Sequence, residues 1–146
     1  MSETFRTSIE IAAPPDEVFD HFIRPELLVR WMGDVARLEA AAGGLFAVDI
    51  NGVIIRGTFV RVERPHLIEI AWGEAGNEEM PPGSTRLVVR LTAHGQATRV
   101  DLEHGGLAPR EAPKHAIGWP HFLERLGVLA AGGDPGADPW ATSPPA

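Results

Sequence analysis

The stretch GGLFAVDINGVIIRGTFVRVERPHLIEIAW, residues 43–72, decides the fold. It reads as three strands in succession. Leu45–Ile50 alternates, with Phe46, Val48 and Ile50 on one side, the period of a strand with one buried face. Asn51-Gly52 follows, a dipeptide suited to a two-residue hairpin because both central positions of a type I′ turn need positive φ. Val53–Val62 is the next strand and carries Phe59 inward. Arg64-Pro65-His66 interrupts the pattern, and Leu67–Trp72 resumes it with Ile68, Ile70 and Trp72.

Towards the N-terminus, ETFRTSIEI (3–11) also alternates and predicts a half-buried strand. Pro14-Pro15 stop it. Pro15 suits a first helical turn and Asp16 and Glu17 favour a helix N-terminus, so Val18, Phe19 and Phe22 form the apolar face of a two-turn helix. A second short helix runs from Glu26 to Met32 and ends at Gly33. Val35–Ala40 is a further strand.

Towards the C-terminus, EAGNEEMPPG (74–83) is a polar loop that can serve as a lid. Thr85–Leu91 and Thr98–His104 form a second hairpin. Trp119, Phe122, Leu123, Leu126 and Ala130 then follow helical spacing. Pro120 lies in the first turn of that helix, or inside a longer helix that begins near Arg110. In the longer helix His115 and Trp119 share a face. Gly132-Gly133 end it. Residues 1–132 are therefore read as one domain. The Pro-, Gly- and Ala-rich tail 133–146 is expected to be disordered, with Trp140 the one tail residue suited to dock on an apolar surface.

The 146 residues suffice for one domain, and 44% hydrophobic content suffices for a core. There is no cysteine, which excludes disulfides and thiolate chemistry. The net charge is −7, and Lys114 is the only lysine. An acidic chain without a basic stripe argues against nucleic-acid partners. No apolar run reaches the length of a membrane span and no secretory signal opens the chain, so a cytoplasmic location is expected. Short connections predict an antiparallel, meandering sheet, and the C-terminal helix is the only element long enough to cover its apolar face. The fold class is α+β.

These segments resemble the SRPBCC, or START-like, superfamily, and within it the branch named for homology to the Hsp-ninety ATPase activator. The resemblance rests on SIEIAAPPDEVFDHF (8–22), PELLVRWMG (25–33), GGLFAVDI (43–50), RGTFVRVERPHLIEIAW (56–72), TRVDLEHGGL (98–107) and HAIGWPHFLERL (115–126). It implies a helix-grip (Bet v-like) fold: a curved antiparallel sheet of about seven strands wrapped round a long C-terminal helix, with two short helices after the first strand and a cavity between sheet and helix. Superfamily members include lipid carriers, hormone receptors, polyketide cyclases and ring-hydroxylase subunits. The co-chaperone activity belongs to longer eukaryotic members with an added N-terminal domain and is not expected here.

With this fold, alternation gives the candidate cavity residues. They are Trp31, Phe46, Val48, Phe59, Ile70, Trp72, Leu87, Val89, Leu102, His104, His115 and Trp119. Most would serve equally as core. His104, in register with Val100 and Leu102, is the polar candidate, able to hydrogen-bond a ligand or titrate near neutrality. A His104–His115 metal pair lacks a third ligand. No nucleophile elbow, P-loop, dinucleotide fingerprint or zinc-protease motif occurs, and no cofactor or metal is expected. The expected partner is a small apolar or amphipathic ligand, with a homodimer left open. Two alternatives stay open: a cyclase- or hydrolase-type enzyme using His104, and a chaperone-like or regulatory interaction module.

Overall fold

A computed structural model describes residues 2–145. Strand β1 (Glu3–Ile11) leads into helices α1 (Pro15–Ile23) and α2 (Pro25–Leu28). Six strands follow: β2 (Val35–Leu38), β3 (Leu45–Ile50), β4 (Val53–Glu63), β5 (Leu67–Glu74), β6 (Thr85–His94) and β7 (Ala97–Leu107). Helix α3 (Ala112–Ala130) and a 3-10 turn (Pro139–Ala141) complete the chain. The strands form one seven-stranded sheet in the order β1-β7-β6-β5-β4-β3-β2, antiparallel throughout. β2 to β7 meander, and β1 closes the far edge beside β7.

Asn51 and Gly52 both have positive φ, 49° and 89°, as the β3–β4 hairpin demands. The inward side chains of the sheet form the core. Phe46, Val48, Phe59, Ile68, Ile70, Leu87, Val89, Val100 and Leu102 are all buried. Against them α3 sets Trp119, Phe122, Leu123 and Leu126, and Gly127 brings the helix against Ile9 and Ile11 of β1. Each large side chain so buried contributes about 1.5–3 kcal/mol. Helices α1 and α2 plug one end with Val18, Phe19, Phe22 and Leu28. Arg64, in the β4–β5 turn, bonds Asp16 and Asp20 of α1 and lies over the Phe19 ring.

α3 takes the longer of the two courses and carries Pro120 inside it. Pro120 cannot donate to the Ala116 carbonyl, and both residues are exposed, where water can serve that carbonyl. α2 is shorter than the expected Glu26–Met32, because the chain turns after Leu28 and Gly33 must take a φ of 95°.

The segment after Gly132 differs from the expectation of a disordered tail: it folds back along α3. Arg125 donates to the carbonyls of Pro135 and Gly136, and Trp140 stacks on His121 with ring centroids 3.6 Å apart. The Asp138 carboxylate accepts from His121 Nε2 and the Trp140 amide through Oδ1, and from Asn51 Nδ2 through Oδ2. Burial works to raise the Asp138 pKa, but these three hydrogen bonds outweigh it and hold the carboxyl below its ordinary value. Polar anchors of this kind leave no trace in a composition rich in Pro and Gly. Among the described residues no helix is long and apolar enough to cross a membrane.

Candidate functional site

A cavity of about 350 Å³ lies where α3 stands away from the β3–β4 end of the sheet. Its floor comes from the hairpin that the Asn51-Gly52 turn builds: Ile50, Asn51, Val53 and Ile55. Trp72 and Glu74, at the end of β5, form one side with Met80 from the loop that follows. Glu111, just before α3, and Lys114, His115, Gly118, Trp119 and Phe122 in its first half roof the cavity, successive members falling at helical spacing. Met32 and the tail residues Trp140, Pro144 and Pro145 close the remaining side.

Of the sequence candidates, the structure brings Trp72, His115 and Trp119 together at this cavity. Trp31 is fully buried among the plug helices, edge-on to Phe22, with its Nε1–H given to the His21 carbonyl at 2.9 Å. Phe46, Val48, Phe59, Ile70, Leu87, Val89 and Leu102 are buried in the hydrophobic core, and none lines the cavity.

His104 also points inward but lies beneath the cavity wall. A directed chain of hydrogen bonds uses both its nitrogens. Trp119 Nε1–H donates to His104 Nδ1 at 3.1 Å. His104 Nε2 meets Thr85 Oγ1 at 2.8 Å, and the Thr85 hydroxyl donates to the Trp72 carbonyl at 2.7 Å. Because Thr85 spends its hydrogen on that carbonyl, Nε2 must carry the histidine proton. Burial, and then the adjacent His115, push the His104 pKa down to about 3. His104 is therefore a neutral link in the core and has no nitrogen to offer a substrate.

His115 differs. Its Nδ1–H donates to the Glu111 carbonyl at 2.9 Å, which leaves Nε2 as a lone-pair acceptor at the cavity. Its ring stands edge-on to His104 at 4.7 Å. Burial lowers its pKa, against the opposing pull of the Glu111 carbonyl. Glu111 is buried at the helix start and pairs with Lys114 at 3.0 Å, and Glu74 accepts from Asn77. Among the described residues no three His, Asp or Glu side chains are placed to hold one metal ion.

Among the described residues one buried side-chain polar atom is unmatched: Trp72 is 3% exposed, and its Nε1–H finds no hydrogen-bond acceptor among them. Leaving such a donor unsatisfied costs about 1–3 kcal/mol. The cavity residues that sequence reasoning missed are chiefly Ile55, Met80 and Glu111, while Trp140 was expected only as a tail residue suited to dock on an apolar surface. Ile55 is in phase with Phe59 and was readable from alternation. Met80 and Trp140 sit in segments without periodicity.

The chain matches the family model described as "Activator of Hsp90 ATPase homolog 1-like protein" over residues 12–131. It belongs to the AHSA1 family. Its fold is accordingly the helix-grip of the SRPBCC superfamily. Among solved structures, an AHSA1-like protein from Rhizobium etli is 37% identical, covers 96% of this chain and 89% of its own, and superposes with a TM-score of 0.76. CalU16 from Micromonospora echinospora is 26% identical, with 96% of this chain and 80% of that one covered and a TM-score of 0.75. The Aha1 dimer from Colwellia psychrerythraea, at 18% identity, 90% and 98% coverage and a TM-score of 0.78, is similar in fold alone. Comparison with curated proteins returned no match.

The tail is part of this AHSA1-family chain's cavity wall, and its contribution is measurable. A chain ending at Gly132 loses the Trp140 stack, the Arg125 carbonyl bonds and three cavity residues. It is expected to unfold in urea with about 1–2 kcal/mol less stability. An unchanged unfolding free energy would mean that the tail adds nothing to the domain.

Proposed function

We propose that this protein binds a small, largely apolar molecule in the cavity under α3. The observation that carries the reading is the cavity itself: about 350 Å³, walled by Trp72, Trp119, Trp140 and Phe122 with few polar groups. Ligand sites occupy about 300–1,000 Å³ and have this chemistry. Binding is favoured over the cyclase- or hydrolase-type alternative for a chemical reason. His104 is fully committed, and no hydroxyl or thiol side chain lines the cavity to act as nucleophile beside His115.

Gly118 supplies the test. It lies on the cavity side of α3, and a Cβ there meets no atom within 4 Å. Gly118→Leu adds a side chain on the cavity side, with free space around its Cβ, and in a helix interior leucine is favoured over glycine by about 0.5–1 kcal/mol. The variant is expected to be at least as stable as the native chain. It should bind N-phenyl-1-naphthylamine, a neutral fluorescent probe, with about tenfold lower affinity. Undiminished probe binding by a folded Gly118→Leu protein would place the ligand elsewhere and end this reading.

A further inference from the structure

We propose that the cavity takes a ring compound carrying a protonated amine, and that His115 Nε2, with the carboxylates of Glu111 and Glu74, receives the ammonium group. This deepens the binding reading above and rests on it. The three side chains line one cavity, Glu111 and His115 from the start of α3 and Glu74 from the end of β5. Each keeps a free acceptor. His115 spends its Nδ1–H on the Glu111 carbonyl, Glu111 meets Lys114 through Oε2, and Glu74 accepts from Asn77 through Oε1. His115 Nε2, Glu111 Oε1 and Glu74 Oε2 are left without a partner. They are also accessible: among the described residues the Trp72 Nε1 is the only unpaired side-chain polar atom sealed from the surface. Glu111 is 4% exposed, and the little surface it shows belongs to the cavity that it lines.

Charge gives the sign of the ligand. Lys114 is the only cation among the described residues at the cavity, is mostly exposed, and answers one of the two carboxylates. One negative charge is left over in a site of reduced dielectric; an ammonium offsets it, and a carboxylate ligand adds to it. His115 stays an acceptor because burial, the largest influence on it, lowers its pKa. Glu111 and Glu74 pull that pKa the other way, so both carboxylates act on the same ring. The three groups are not placed to hold one metal ion, which suits a larger, hydrogen-bonding head group. Trp72, Trp119 and Trp140 give the walls flat faces, which favour a ring and attract a cation beside it.

Three naphthalenes of similar outline isolate the charge. 2-Naphthylmethylamine is a cation at neutral pH, 2-ethylnaphthalene has CH3 in place of NH3+, and 2-naphthoate is an anion. The native protein is expected to bind the amine about tenfold more tightly than the naphthoate. Glu111→Gln and Glu74→Gln keep the shape of each side chain and remove its charge. Each should weaken the amine about fivefold and leave 2-ethylnaphthalene and the neutral N-phenyl-1-naphthylamine almost unchanged. Should a variant not fold, the native protein still decides: the His115 Nε2 nitrogen resonance should move further with the amine than with 2-ethylnaphthalene. Naphthoate bound as tightly as the amine, glutamine variants that weaken every probe alike, or a His115 resonance that answers both ligands equally would overturn the proposal and leave the cavity as a binding site. If neither the naphthalenes nor N-phenyl-1-naphthylamine bind, the cavity reading itself falls, and this inference with it.

Discussion

Gly73→Ala is expected to destabilise the protein by about 3 kcal/mol, at the upper end for an overpacked site, and to lower the thermal midpoint by roughly 10 °C. The reason is a backbone crossing. After β5 the chain loops out and returns over Gly73, so a Cβ at this position would lie 1.9 Å from the Pro81 carbonyl oxygen and 2.6 Å from Pro82 Cα. Both obstacles are main-chain atoms of a Pro-Pro pair, whose fixed φ angles leave little room to yield. The loop cannot simply lift away. The Glu74 amide donates to the Met80 carbonyl at 2.7 Å, and Asn77 Oδ1 accepts from the Glu79 and Met80 amides. Met80 itself is buried in the cavity wall. Displacing the loop therefore also weakens binding of N-phenyl-1-naphthylamine. Gly76→Ala in the same loop is the control. Gly76 has a φ of 85° but a Cβ there meets nothing within 4 Å, so that change carries only the dihedral cost of about 1 kcal/mol. Thermal and urea unfolding of the two variants side by side separates the causes. Equal losses would show that the Pro81 contact is not what demands glycine at position 73.

How much of this was legible in the chain differs between fold and site, for a physical reason. Strand alternation is a local property of the backbone, so Phe46, Val48 and Ile50, the Asn51-Gly52 turn, and Ile68, Ile70 and Trp72 could be assigned a side from their spacing alone. The helical spacing of His115, Trp119 and Phe122 was equally local, and all three do meet at the cavity. Facing inward is not the same as facing a space. Whether Leu102 touches the helix or an opening depends on how far α3 stands from each strand, which no local pattern encodes. Seven candidates from the sheet consequently proved to be packed core. The opposite failure concerns Met80 and Trp140. Met80 is held by the Glu74 amide across its own loop and Trp140 by Asp138, which His121 and Asn51 anchor, in segments whose composition reads as loop. His104 shows a third limit. Alternation placed it inside, but its role was set by partners 19 and 15 positions away, Thr85 and Trp119.

Acid is expected to weaken the fold through His104 well before the carboxylates titrate. In the folded protein His104 stays neutral until about pH 3, because it is fully enclosed and its nitrogens are held by Trp119 and Thr85. In the unfolded chain it takes up a proton near the ordinary histidine value of about 6.5. Below that pH the unfolded state binds a proton that the folded state refuses. The contribution is therefore present in full above about pH 6.5 and is lost as the pH falls towards 3, at up to about 1.4 kcal/mol per pH unit. Between pH 6.5 and 4.5 the loss amounts to roughly 2–3 kcal/mol. His115, whose pKa is also lowered by burial, acts in the same direction. His104→Gln removes the titrating group while keeping a side chain able to accept from Trp119 and donate to Thr85. Urea unfolding at pH 7.5, 6.0 and 4.5 is the measurement. The variant should be less stable than the native chain at pH 7.5, since glutamine cannot reproduce the ring's packing between Trp72, His115 and Trp119. Its stability should nevertheless fall less steeply with acid, so that the two free energies converge towards pH 4.5. Parallel pH profiles would mean that His104 is protonated in the folded protein, and that the Trp119–His104–Thr85 chain runs in a different direction from the one described.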